Sequence, residues 1–100
     1  MIIKVNGKNR SLKYGYRAIK ESAVMVENDP ELETRNGGLD YVEMQIFLAF
    51  KHGVPKGEKV DFQMSDIELW LDDDLTLLNK VTEFVMNESG IDGKKKKGQK

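Results

Sequence analysis

Apolar and polar residues alternate around Ile3 and Val5 and again around Leu12 and Tyr14, with Asn6-Gly7 between the two runs. Asn-Gly accepts the paired positive-φ conformations of a tight turn, so the pattern predicts a β-hairpin. A two-residue turn sets odd positions of the first strand beside even positions of the second. Ile3, Val5, Leu12 and Tyr14 then share one apolar face. An isolated hairpin is marginal in water, so that face needs a helix against it, and Gly15 supplies the bend toward one.

From Tyr16 to about Asn28 the period changes: Tyr16, Ile19, Ala23 and Val26 are spaced three or four apart, which predicts a first helix with these residues as its inner stripe. Asp29-Pro30 ends it, and the polar stretch from Glu31 to Gly38 reads as a loop. A second helix, capped by Asp40 and running to about His52, is apolar nearly all round and therefore buried on several sides or awaiting a partner. Gly53 suits its C-terminal stop, and Val54-Pro55-Lys56-Gly57 reads as a linker. Ser65 followed by Glu68, with Met64 and Leu69 flanking, predicts a capping box and hydrophobic staple at the start of a short third helix, Asp66 to Leu71. The Asp72-Asp73-Asp74 run interrupts the pattern. A fourth stripe through Leu77 or Leu78, Val81, Phe84 and Val85 continues to Ser89, with Gly90-Ile91 as a C-cap and a disordered stretch beyond.

These elements predict an α+β fold, mainly α, with a small N-terminal β-hairpin packed on a bundle of about four helices. The chain's 100 residues form one domain, residues 1–90, followed by a basic Gly/Lys tail, residues 91–100. The expected core is Ile3, Val5, Leu12, Tyr14, Ile19, Val42, Ile46, Phe47, Leu69, Val81 and Phe84.

Charge matters through its distribution. The formal net charge is −1, but residues 91–100 carry five lysines against Asp92, which leaves −5 on the body. A nucleic-acid-binding domain needs its basic residues on the docking surface of the folded body, and this body is acidic. With 0 cysteines, a disulfide scaffold, thiol catalysis and cysteine-ligated zinc are excluded. No apolar run approaches the ~20 residues of a bilayer span, and no signal peptide is expected.

Candidate chemistry is sparse. His52 is the only histidine, and its place at a helix end reads as an interaction with the last carbonyls. No serine sits in a nucleophile elbow, and no glycine cluster forms a phosphate loop. Asp72 to Asp74 lacks a calcium-loop pattern and reads as a helix-capping run. No catalytic residue, cofactor or metal is expected. Trp70 lies between Leu69 and Leu71, and three adjacent apolar residues cannot all face one core, so Trp70 either bridges helices or anchors a protein contact. Protein-contact candidates are Phe50, Ile67, Trp70, Leu71, Leu78 and Met86, and excess apolar surface favours self-association or a partner.

The order Val5-Asn6-Gly7-Lys8, Tyr14-Gly15-Tyr16-Arg17-Ala18-Ile19-Lys20-Glu21, the apolar helix with Phe47 to Gly53, and Met64-Ser65-Asp66-Ile67-Glu68-Leu69-Trp70-Leu71-Asp72 resembles the tail assembly chaperones of long-tailed, siphovirus-like bacteriophages. The resemblance covers about residues 1–90. It implies a non-enzymatic, oligomeric factor in the cytoplasm of the bacterial host that coats the tape measure protein, helps recruit tail tube protein around it, and is absent from the mature virion. It also implies that Gly93-Lys94-Lys95-Lys96-Lys97 is encoded by a slippery run for ribosomal frameshifting. The competing expectation is a small nucleic-acid-associated regulator whose lysine tail binds phosphates.

Overall fold

A computed structural model describes residues 1–89, and the expectations for the Gly90-Ile91 cap and the basic tail lie outside the described residues. The protein is mainly helical with an N-terminal hairpin, as the α+β expectation has it. Strands β1, Ile2–Val5, and β2, Lys8–Ser11, pair antiparallel with Val5 opposite Lys8 and Ile3 opposite Arg10. Asn6 and Gly7 have φ of 53° and 78°, the left-handed pair that a two-residue hairpin turn demands. Val5, Leu12 and Tyr14 are buried and Ile3 is half-buried, so the parity argument holds. The same parity places Arg10 on this inner face.

Helix α1, Tyr16–Asn28, packs on α2, Leu39–His52, which also contacts α3, Met64–Asp73, and α4, Thr76–Ser89. Helix α2 is the centre of the fold. Met44, Ile46, Leu48, Ala49 and Phe50 are all buried along it, which accounts for its apolar circumference. On α4 the inner residues are Leu77, Val81 and Val85, with Leu78 and Phe84 partly covered. Ile19, Val42 and Phe47 are likewise half-buried against the core.

Several local expectations are corrected. The inner face of α1 is Ala18 and Ser22, with Ile19, Met25 and Val26 at its margins, while Tyr16 is 75% exposed and Ala23 is exposed. Small residues sit at the point of closest approach, and the Ser22 hydroxyl is satisfied by donating to the Ile19 carbonyl at 2.8 Å. The stretch from Glu31 to Gly38 is two short 3₁₀ turns, Pro30–Glu33 and Arg35–Gly38. Arg35 is held between Asp29, at 2.9 Å, and Asp40, at 3.5 Å. Gly38, with φ of 90°, is the N-cap of α2, because Asp40 is already engaged by Asn36 Nδ2 at 2.9 Å.

Helix α3 begins before the expected Ser65 cap. Its N-cap is Gln63, whose N–H donates to the Asp66 carboxylate at 2.8 Å. The capping spacing, a carboxylate three residues after the cap, is therefore kept but used two residues earlier, by Gln63 and Asp66. Met64, Ile67, Trp70 and Leu71 then form the inner stripe, and Leu69, expected in the core, is 62% exposed. Asp74 separates α3 from α4: its backbone is extended, and its carboxylate accepts from the Thr76 N–H at 3.1 Å and hydroxyl at 2.6 Å. The Thr76 hydrogen bonds keep the Asp74 carboxyl below its ordinary range.

Candidate protein-docking groove

The six residues expected to make protein contacts divide by burial. Phe50, Ile67 and Trp70 belong to the core, at 1%, 0% and 7% exposure, and are corrected from surface contacts to packing residues. Phe50 and Trp70 meet edge to face with ring centroids 5.3 Å apart, and Phe62 lies 5.3 Å from Trp70. Each ring fills space left by the others, and such pairs add to simple area burial. Met86 is exposed on α4 and stands apart from the other candidates. Leu71 and Leu78 come together with residues that the pattern did not single out.

They line a groove of about 830 Å³ between the first half of α2, the C-terminal half of α3 and the start of α4. Leu39, Leu69 and Leu75 also line it, at 58%, 62% and 69% exposure. Leucine side chains this open to water in one depression leave apolar area uncovered, whereas scattered single leucines are ordinary surface. The rim carries Asp40 and Glu43 from α2 and Glu68 and Asp72 from α3. A signal for this face exists in the chain: the acids are three apart on α2 and four apart on α3, each pair beside a leucine, Leu39 or Leu69. Burial, followed by the charges of Glu68 and Asp40, pushes the Glu43 carboxyl above its ordinary range.

Two polar clusters lie elsewhere. Arg10 is only 14% exposed in its side chain, sits 4.8 Å from the Trp70 ring centre and 5.1 Å from that of Phe62, and donates to Asp61 at 2.8 Å. Lys8 also reaches Asp61, at 2.9 Å. The hydrogen bonds from Arg10 and Lys8 hold the Asp61 carboxyl well below the ordinary carboxylate range. A pocket of about 280 Å³ adjoins this clasp, but its Lys8 and Arg10 are already paired, so it offers little uncompensated charge. The Asp61 carboxyl is lowered in the fold, so its contribution is fully present above the unfolded value of about 4 and is lost as pH falls below that range. Asp61→Asn is therefore expected to flatten the acid limb of stability in thermal melts from neutral pH downward. An acid limb identical to that of the unaltered protein would show that the clasp contributes nothing.

The second cluster corrects the expectation for His52. Its Nε2 donates to Glu21 Oε1 at 2.8 Å, since a carboxylate only accepts, and Lys51 Nζ donates to Glu21 Oε2 at 2.6 Å. Partial burial opposes charge on Glu21, but the hydrogen bonds and charges of Lys51 and His52 outweigh it and lower its carboxyl. The trio ties the end of α2 to α1, a tertiary contact between residues 31 apart in the chain. With Glu21 accepting from both Lys51 and His52, the trio holds the end of α2 to α1 as a clasp.

Among the described residues no group of three histidine, aspartate or glutamate side chains is placed to hold a metal ion, and no helix is long and apolar enough to cross a membrane. The Asp72 to Asp74 run supplies one groove-rim charge and one helix cap instead of a shared site. The feature that is open, apolar and surrounded by one sign of charge is the leucine groove. Comparison with protein families, curated proteins and solved structures returns no match for this chain.

Proposed function

We propose that this chain is a non-enzymatic assembly chaperone of the phage-tail type, which binds a tape measure protein and helps recruit tail tube protein around it. The observation that carries the reading is the groove formed by Leu39, Leu69 and Leu75, whose apolar side chains stand open to water together within a rim of carboxylates. The order of motifs from the Asn6-Gly7 turn to Trp70 supports the phage-tail assignment. A groove built from helices suits long amphipathic partners, which it shields with little demand on their sequence. The factor acts in the cytoplasm of the bacterial host as a homo-oligomer and leaves before the virion is finished. Its lysine run marks a frameshift site in the encoding gene.

Co-expression with the tape measure protein of the same phage or prophage tests this reading. The unaltered chain should raise the soluble yield of the tape measure protein, and Leu69→Asp should remove that gain while keeping the circular dichroism spectrum of the native fold. A tape measure protein that stays insoluble in both cases overturns the assignment. A regulator acting through Lys94 to Lys97 is the competing reading. It requires phosphate-driven binding that falls steeply with salt, and replacing those lysines with glutamine would abolish it.

A further inference from the structure

The rim of the groove bears on what fills it. Asp40, Glu43, Glu68 and Asp72 surround the leucines, and among the described residues no lysine or arginine lines the groove. Only Asp40 is answered by a cation, Arg35 at 3.5 Å; Glu43, Glu68 and Asp72 form no ion pair among the described residues. Glu43 is crowded by two of these carboxylates while partly buried, an arrangement that a positive charge arriving from outside would relieve. The walls are α2, α3, α4 and the turns at Asn36 and Leu75, and no residue of the two strands lines the groove to pair with an extended segment. A helix, by contrast, satisfies its own backbone groups while laying down an apolar stripe.

We propose that this groove takes an amphipathic helix of a partner protein whose apolar stripe is flanked by lysine or arginine, and that the carboxylate rim selects for that charge. The proposal rests on the protein-binding reading of the groove and adds the chemistry of its occupant. Leucines or similar side chains at helical spacing pack against Leu69, Leu75 and Leu78, while the flanking cations lie over Glu43, Glu68 and Asp72. The charge contribution sets selectivity and the rate of encounter more than total affinity. A second copy of the chain is a poorer occupant, because its body, residues 1–90, carries a formal charge of −5.

The test uses the full chain and two synthetic amphipathic peptides of about 18 residues with leucines at i, i+3 and i+7. One peptide has lysines flanking the stripe, and its twin has glutamates there. Calorimetry should show the lysine peptide binding at least roughly tenfold tighter at low salt, with the gap narrowing as salt rises. Leu69→Asp should abolish binding. The pair Glu43→Gln and Glu68→Gln removes like charges without removing packing, and should weaken the lysine peptide roughly fivefold or more while leaving the glutamate twin unchanged or improved. Equal binding of both peptides, or binding indifferent to these variants, overturns the proposal.

Two other occupants have distinct signatures, and either would also overturn it. A second copy, docking through exposed Tyr16, Arg17 and Lys20 of α1, would appear as self-association in sedimentation that Leu69→Asp abolishes and the lysine peptide fails to displace. Occupation by the chain's own lysines in place of a partner would appear as no lysine-peptide binding to the full chain, with binding only once Lys94 to Lys97 are changed to glutamine. Peptide selectivity without tape-measure solubilisation would sink only the phage-tail assignment, and solubilisation without selectivity would sink only the charge rule.

Discussion

Trp70→Ala is expected to lower stability by roughly 3–5 kcal/mol, a large part of the about 5–15 kcal/mol that holds a single domain together. The indole is 7% exposed and meets Phe50 edge to face, with Phe62 tilted against it and Arg10 stacked on its outer side. Truncation leaves a void that the two rigid rings of Phe50 and Phe62 cannot collapse into, and it strips the Arg10 guanidinium of one of its two aromatic supports. Leu69→Ala, one residue away, should change stability by no more than about 0.5 kcal/mol, because that side chain is already in water. Urea unfolding followed by far-ultraviolet circular dichroism measures both; Trp70 is the only tryptophan, so fluorescence would vanish with the substitution. Equal urea midpoints for the two variants would contradict the placement of the indole. Phe50, also named as a contact candidate, is packed in the same way, and Phe50→Asp would put a charge at a position 1% exposed.

Gly53→Ala should be the most damaging single-methyl change in the chain, at about 1–3 kcal/mol or more. A Cβ at this position would stand 2.7 Å from Leu12 Cα and closer still to the Ser11 carbonyl. Those are backbone atoms, and they cannot swing away as a side-chain tip would. The segment is also pinned, since Lys13 N–H donates to the Ala49 carbonyl at 3.0 Å. The φ of Gly53 is −85°, so the cost arises from the hairpin's exit strand crossing the end of α2 and not from backbone handedness. Gly57→Ala serves as the contrast. Its φ of 91° makes that substitution strained while leaving open space around the new methyl group. Thermal melts that rank the Gly53 variant equal to the unaltered protein would show that the two segments separate freely.

Much of the architecture was legible because its causes are local. Asn6-Gly7 specifies its turn through the φ values its own two residues tolerate, and the strand parity follows without reference to anything distant. The all-round apolar pattern of α2 left two readings, burial on several sides or an awaited partner, and α2 contacts each of the other three helices. On α4 the stripe of Leu77 or Leu78, Val81, Phe84 and Val85 was legible, but the structure selects Leu77, Val81 and Val85 for burial and leaves Leu78 and Phe84 partly covered. The site was less legible. Of the contact candidates, Leu71 and Leu78 line the groove, while the leucines that open it most, Leu39, Leu69 and Leu75, were passed over or assigned to the core.

By itself, then, the sequence determined what depends on neighbours within a turn or two: the hairpin and its register, the existence and order of the helices, and an acidic body. Tertiary structure decided which residue of a crowded apolar run faces inward. Leu69, Trp70 and Leu71 are equally greasy, and only the positions of Phe50 and Phe62 select the indole for the core and turn Leu69 out toward the groove. It also decided that Arg10 would cover two aromatic rings, that His52 would reach back to Glu21, and that Gly53 would lie under Ser11. Each is a contact between segments far apart in the chain, so its energy depends on where other elements cross, and local spacing carries no record of that.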